Sequence, residues 1–140
     1  EIRVHLANLE EQIARMEQLR AQVTVMLRER LQARLQELLS SAAIEPHRLI
    51  QETAILADRS DIEEELARLR VHAAELAAML TQGGELGKRA GFLLQEMQRE
   101  TQTVLAKSGN TGQLGLEVTR AALAAKTAIE KMYEQVMNLE

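Results

Sequence analysis

Apolar residues recur along the first 45 positions at Ile2, Leu6, Leu9, Ile13 and Met16, then at Val23, Leu27, Leu31, Leu35 and Leu38. The early steps alternate four and three, the spacing of a coiled-coil seam. The steps of four from Val23 to Leu35 resemble a stutter, which locally unwinds a supercoil. Arg20 falls on a seam position and is expected to lower stability there. Neither glycine nor proline interrupts residues 1–45, so the spacing predicts one helix over about 2–44. At 1.5 Å per residue that helix is roughly 63 Å long, against a radius of gyration of ~14 Å for a compact chain of this size. Such a rod is an arm, a hairpin leg or an oligomer strut.

Pro46, the only proline, suits the first turn of a second helix, where its missing N–H costs nothing. Leu49, Leu56, Ile62, Leu66, Leu69, Ala73, Leu76 and Leu80 form its apolar stripe, and Gly83-Gly84 ends it. A third helix is predicted over 86–107, with Ala90, Leu93, Met97 and Val104 inside and with Gly87 and Gly91 weakening its first turns. Ser108 to Gly112 reads as a loop. A fourth helix over 114–139 carries Val118, Ala121, Ala125, Ile129, Met132, Val136 and Leu139 on one face. No strand pattern occurs. The expected fold is all-α and a single domain over 1–140. Helices 2–44 and 46–82 make a long hairpin, two shorter helices pack near one end, and the whole is elongated and oligomer-forming.

Composition supports this class. Hydrophobic residues make up 46% of the chain but aromatics only 1%, with Phe92 and Tyr133 the whole set. A core of Leu, Ala, Ile, Met and Val suits helices side by side rather than a β-sandwich. The absence of cysteine removes disulfides and thiolate nucleophiles, and fits a reducing compartment. No apolar run approaches the ~20 residues of a membrane span, so no membrane partner is expected. The chain opens on Glu1 rather than Met, which is expected of a fragment or a processed product. The net charge of −4 argues against a broad basic grip on nucleic acid. The acid is concentrated in residues 46–83, with seven acidic and four basic side chains.

Several familiar sites are absent. No histidine lies three residues after a glutamate, as a di-iron bundle requires, and no phosphate-binding loop or nucleophile elbow occurs. Asp61, Glu64, Arg68 and His72 follow at steps of three, four and four, and so share one polar stripe of a helix, with Glu65 beside it. The stripe reads either as a solvated face with a Glu64–Arg68 pair or as half of a site. Gln95, Glu96, Arg99 and Glu100 form a second stripe, with Lys88, Arg89 and Lys107 towards its ends. Carboxylates suit divalent cations and arginines suit phosphate oxygens. Converging stripes would hold the parts for metal-assisted phosphodiester hydrolysis.

The segment Gln51-Glu52-Thr53-Ala54-Ile55-Leu56-Ala57-Asp58-Arg59-Ser60-Asp61-Ile62-Glu63-Glu64-Glu65-Leu66, completed by Arg68, Leu69 and His72, resembles a signature of the bacterial YicC/YloC family. Gly87-Lys88-Arg89, the run Phe92 to Glu100, and the ending from Ile129 to Glu140 resemble further motifs of that family. The resemblance runs from about residue 49 to 140, while residues 1–48 agree as a long helix. It implies a cytoplasmic, metal-dependent endoribonuclease that uses Mn²⁺ or Mg²⁺ and assembles as a homo-oligomer, a hexamer in the full-length form. It also implies that this chain is the C-terminal half, inactive alone or completed by an N-terminal domain.

Carried over position by position, the resemblance makes Asp61, Glu64, Glu96 and Glu100 the metal-holding candidates. Arg59, Arg68, Arg99 and Lys107 become candidates for RNA phosphate. His72, Glu96, Glu100 and Asp61 become the catalytic set, with His72 moving a proton. An ion-pair network holding protomers together is the alternative role for the same side chains. The alternative function is a non-catalytic helical scaffold that binds RNA or protein. Where the family pattern has Leu-Asp before Phe, this chain has Ala90-Gly91, so one acid is missing. On the first helix Arg28, Arg30 and Arg34 cluster. With Lys88 and Arg89 they are expected to line the inner surface of a ring.

Overall fold

The computed structural model describes residues 1–40, 45–83 and 87–138, the side chains of Leu39 and Asn110 aside. Five α-helices follow in order: α1 (Ile2–Ser40), α2 (Pro46–Ser60), α3 (Glu63–Gln82), α4 (Gly87–Lys107) and α5 (Gly112–Asn138), with a 3₁₀ turn at Ser108–Asn110. No strand occurs among the described residues, in keeping with the all-α expectation. Among them no helix is long and apolar enough to cross a membrane. The expected helix ends at 41–44, Leu86 and Leu139 lie outside the described residues.

Side-chain bonds fix the packing directions. Arg3 reaches the Leu80 carbonyl and Arg20 reaches Asp61, so α3 runs antiparallel to α1. Arg68 meets Glu100 while Lys107 reaches the Asp61 carbonyl, and Gln95 and Gln98 meet Tyr133 and Glu130, so α4 reverses against α3 and α5 reverses against α4. The N-terminal half of α1, with α3, α4 and α5, therefore forms an up-and-down four-helix bundle. Its most extensive helix contact is α1 on α5, the two ends of the chain. The α1 stripe from Ile2 to Leu27 is buried inside this single chain, whereas Leu31, Leu35 and Leu38 are only half-buried. Beyond Leu27, α1 and the antiparallel α2 form an arm.

Two local expectations are corrected. The seam position near residue 20 belongs to Leu19, which is fully buried, while Arg20 sits beside it and turns to carboxylates. The helix expected over 46–82 is divided at Asp61–Ile62. Asp61 is extended at ψ 124°, and its Oδ1 accepts the backbone N–H of Glu63 at 3.1 Å. That bond satisfies a donor otherwise orphaned at the start of α3. Glu63, Glu64 and Glu65 fill the first turn of α3, where the helix dipole favours negative charge. The apolar stripe runs unbroken across the join because Ile62 is itself buried, 3% exposed. Ser60-Asp61, with three glutamates following Ile62, is the start signal that outweighs it.

At the same end of the bundle, Gly112 opens α5 at φ +64°, a conformation glycine tolerates. Gly115 has a different reason. A Cβ there would stand 2.2 Å from the Ser108 carbonyl oxygen and 2.6 Å from Thr111 Oγ1. The 3₁₀ turn folds back onto α5 only because that position has no side chain.

Candidate functional site

The α2–α3 join, the middle of α1 and the end of α4 meet in a chain of alternating charges. Arg20 Nε donates to Asp61 Oδ1 at 2.7 Å, and its Nη2 donates to Asp61 Oδ2 at 3.3 Å and to Glu63 Oε2 at 3.2 Å. The Arg20 hydrogen bond, first, holds the Asp61 carboxyl below its ordinary range. The Glu63 N–H and the charges of Arg20 and Lys107 act in the same direction, against partial burial. Lys107 Nζ donates to the Asp61 carbonyl at 3.1 Å and also lies against the Glu65 carboxylate, which is buried.

One turn along α3, Arg68 Nε donates to Glu100 Oε1 at 2.8 Å across to α4. Its other nitrogens lie 3.7 Å from Glu64 and 3.9 Å from Glu65. Glu100 is 8% exposed, so this pair sits at the edge of the core. His72 follows Arg68 by another turn and is half-buried. Its Nδ1 is shielded from solvent with no hydrogen-bond partner, and the nearest carboxylate, Glu75 on the same helix, is 3.9 Å away.

The structure thus brings together Asp61, Lys107, Arg68 and Glu100, with Glu64 loosely attached. It does not bring Glu96 into this group. Glu96 is exposed and lies 4.0 Å from Arg99 on its own helix. Arg59 is exposed in the last turn of α2. Arg20 is absent from the sequence-based set. Its signal was an arginine set into an apolar stripe, which here marks a partner for Asp61 rather than a defect.

The charge chain bears on the expected metal. Asp61, Glu65 and Glu100 each turn a carboxylate to a basic side chain. Among the described residues no three His or carboxylate side chains are grouped as a cation site. Within one chain these residues offer no ready ligand set for a divalent cation. The missing acid at Gly91 does not alter this. Gly91 is buried against α5, and a Cβ there would lie 3.2 Å from Met137 Cε and 3.9 Å from Tyr133 Cε2. Nine residues separate it from Glu100, which places the two on opposite sides of α4.

A cavity of about 460 Å³ opens beside the Arg20–Asp61 pair, between α1, α2 and the 3₁₀ turn. Leu27, Ile50 and Ala57 line it, and the buried Ser60 Oγ at its wall has no hydrogen-bond partner.

Comparison with known proteins gives a consistent picture. Residues 3–140 match the family described as "Endoribonuclease YicC-like, C-terminal". A Haemophilus influenzae protein named "Probable endoribonuclease YicC" is 37% identical over 127 residues, covering 89% of this chain and 42% of the relative. A Clostridioides difficile protein of the same name is 35% identical over 133 residues, covering 94% of this chain and 44% of the relative. The chain spans less than half the length of these curated relatives.

Proposed function

The chain belongs to the YicC-like endoribonuclease C-terminal family, and from that membership we propose that it takes part in the cleavage of RNA phosphodiester bonds. The observation that carries the reading is the match over residues 3–140, joined to a polar centre on the α3–α4 face of the bundle. Arg68 there holds Glu100, and His72 lies one turn away with an uncommitted ring nitrogen. An arginine held by carboxylates on one side still presents N–H groups to a phosphate oxygen. The His72 Nδ1 is shielded from solvent, so proton transfer to or from a ribose hydroxyl or a leaving oxygen falls to the other ring nitrogen, Nε2. Arg99 and Arg59, both exposed, supply further phosphate contacts. The reading includes dependence on Mn²⁺ or Mg²⁺, held between copies of the chain or with the rest of the full-length protein, because one copy of these residues offers no ligand set among its described residues. It also includes assembly into a homo-oligomer, a hexamer in the full-length form, and a cytoplasmic setting. The apolar residues left exposed on α1 and α2, Val25, Ile50 and Ile55, support contact with another copy.

The test is incubation of the protein with a structured RNA, with Mn²⁺ or with a chelator. Cleavage that the chelator abolishes, and that Glu100→Gln or His72→Asn reduces, supports the enzyme. RNA bound and left intact under every condition supports the second reading, a helical scaffold. One observation favours that second reading: Arg20–Asp61, Lys107–Glu65 and Arg68–Glu100 each tie two helices together.

A further inference from the structure

The chain has one phenylalanine and one tyrosine, and the fold spends neither wholly on the core. Phe92 lies on the solvent side of α4 and is 68% exposed, the most exposed large hydrophobic side chain among the described residues. Tyr133, half-buried on α5, takes a hydrogen bond on its hydroxyl from Gln95 Nε2 at 3.3 Å. Gly91, the residue before Phe92, faces α5, where a Cβ would stand 3.9 Å from the Tyr133 ring and 3.2 Å from the Met137 methyl. A chain so poor in aromatics that leaves its phenylalanine in water is not using it for the core.

The surroundings of Phe92 carry charge of one prevailing sign. At 100° per residue, Lys88, Phe92 and Arg99 fall within about 40° of one another on the α4 surface. Gln95 and Glu96 flank this stripe, and Arg89 lies at its edge. Lys88, Arg89, Gln95, Glu96 and Arg99 are all exposed or partly exposed. Three cations therefore face one carboxylate, Glu96, which lies 4.0 Å from Arg99. On the α5 side Glu130 is engaged by Gln98 at 3.2 Å. Lys88 and Arg99 stand about 16 Å apart along the helix axis, with the aromatic ring between them. Cations tracking a backbone on either side of an exposed aromatic face are how sequence-tolerant single-strand binders are built, because every base has a π-face to stack.

We propose that this face of α4 binds single-stranded RNA, with one base stacked on Phe92 and the flanking phosphates on Lys88 and Arg99. The proposal rests on the RNA-cleaving reading and adds the form of the substrate: an unpaired stretch is held here, and paired RNA is not.

The chain contains no tryptophan, so Phe92→Trp places a single indole at the proposed contact, excited at wavelengths where Tyr133 does not absorb. With chelator present to keep RNA intact, a short single-stranded oligonucleotide is expected to quench that emission saturably. Its pre-annealed duplex is expected to quench far less, and added salt to weaken the effect. Phe92→Ala is expected to weaken single-strand binding about tenfold, with Phe92→Tyr close to the parent. Single-strand binding seen by anisotropy, with the indole emission of the Phe92→Trp variant unchanged, overturns this inference and leaves the RNA reading standing. A blue shift on concentrating that variant without RNA also overturns it, since another copy then covers the face. Absence of both RNA binding and cleavage in the parent protein defeats the proposed function, and this inference with it.

Discussion

Lys107, the last residue of α4, places its ammonium against the Glu65 carboxylate in the first turn of α3, and Glu65 is 1% exposed. A carboxylate that far from water is stable only while its partner is present. Lys107→Met is therefore expected to lower unfolding free energy by about 3 kcal/mol, because it strands a buried charge. Glu65→Leu with Lys107→Met is expected to recover most of that loss. Urea unfolding of both variants checks the pair. Equal losses in the single and double variants would show that Glu65 draws its stability elsewhere.

Asp61 does two jobs, accepting Arg20 and capping α3, and substitutions separate them. Asp61→Asn keeps a side-chain acceptor for the Glu63 N–H but loses the charge. Asp61→Ala loses both, and the further cost of the lost cap is about 1 kcal/mol. The pH dependence follows from the lowered carboxyl. Asp61 takes up a proton less readily when folded than when unfolded. Its contribution is fully present above the ordinary carboxylate value of 3.8 and is lost as pH falls through the lowered one. Thermal midpoints measured from pH 6 down to pH 2 are expected to fall less steeply below pH 4 in Asp61→Asn than in the parent.

At Gly115 the constraint is space. A methyl group would meet the backbone of the 3₁₀ turn, which cannot swing aside as a long side chain can. Gly115→Ala is expected to cost about 2 kcal/mol despite the better helix propensity of alanine. A thermal midpoint equal to or above that of the parent contradicts the close approach.

Gly91→Asp restores the acid that the family pattern carries. It points at α5, on the opposite side of α4 from Glu100. The expected result is a lower thermal midpoint with no gain in RNA cleavage. A gain in cleavage would mean that position 91 serves a site built with another chain.

His72→Asn is expected to reduce single-turnover RNA cleavage by about a hundredfold or more, the range of a lost proton-transfer group, with the thermal midpoint nearly unchanged. A variant that unfolds earlier and cleaves normally once folded assigns His72 to packing.

The sequence made the helices legible wherever apolar period and breakers agreed. Pro46 and the glycines bounded them, and the α1 stripe was readable from Ile2 to Leu27. The division at Asp61–Ile62 was hidden because Ile62 continues the stripe across it. The site was half legible. Asp61, Arg68, Glu100 and Lys107 are drawn together as the polar stripes imply. Helix periodicity, though, gives the direction of a side chain from its own axis, not the partner it meets on another. Arg20 shows the limit, since its role depends on a carboxylate 41 positions later. Glu96 and Glu100, four apart, look equivalent in sequence, yet one is exposed and the other buried.

The unbroken course of α1 has a mechanical consequence. This rod contains neither glycine nor proline and runs from the bundle into the arm, so it does not fold at its middle. The opposing leg has its joint at Asp61–Ile62. Any swing of α2 away from α1 must pivot there, and the Arg20–Asp61 bond is the latch such a swing would have to open.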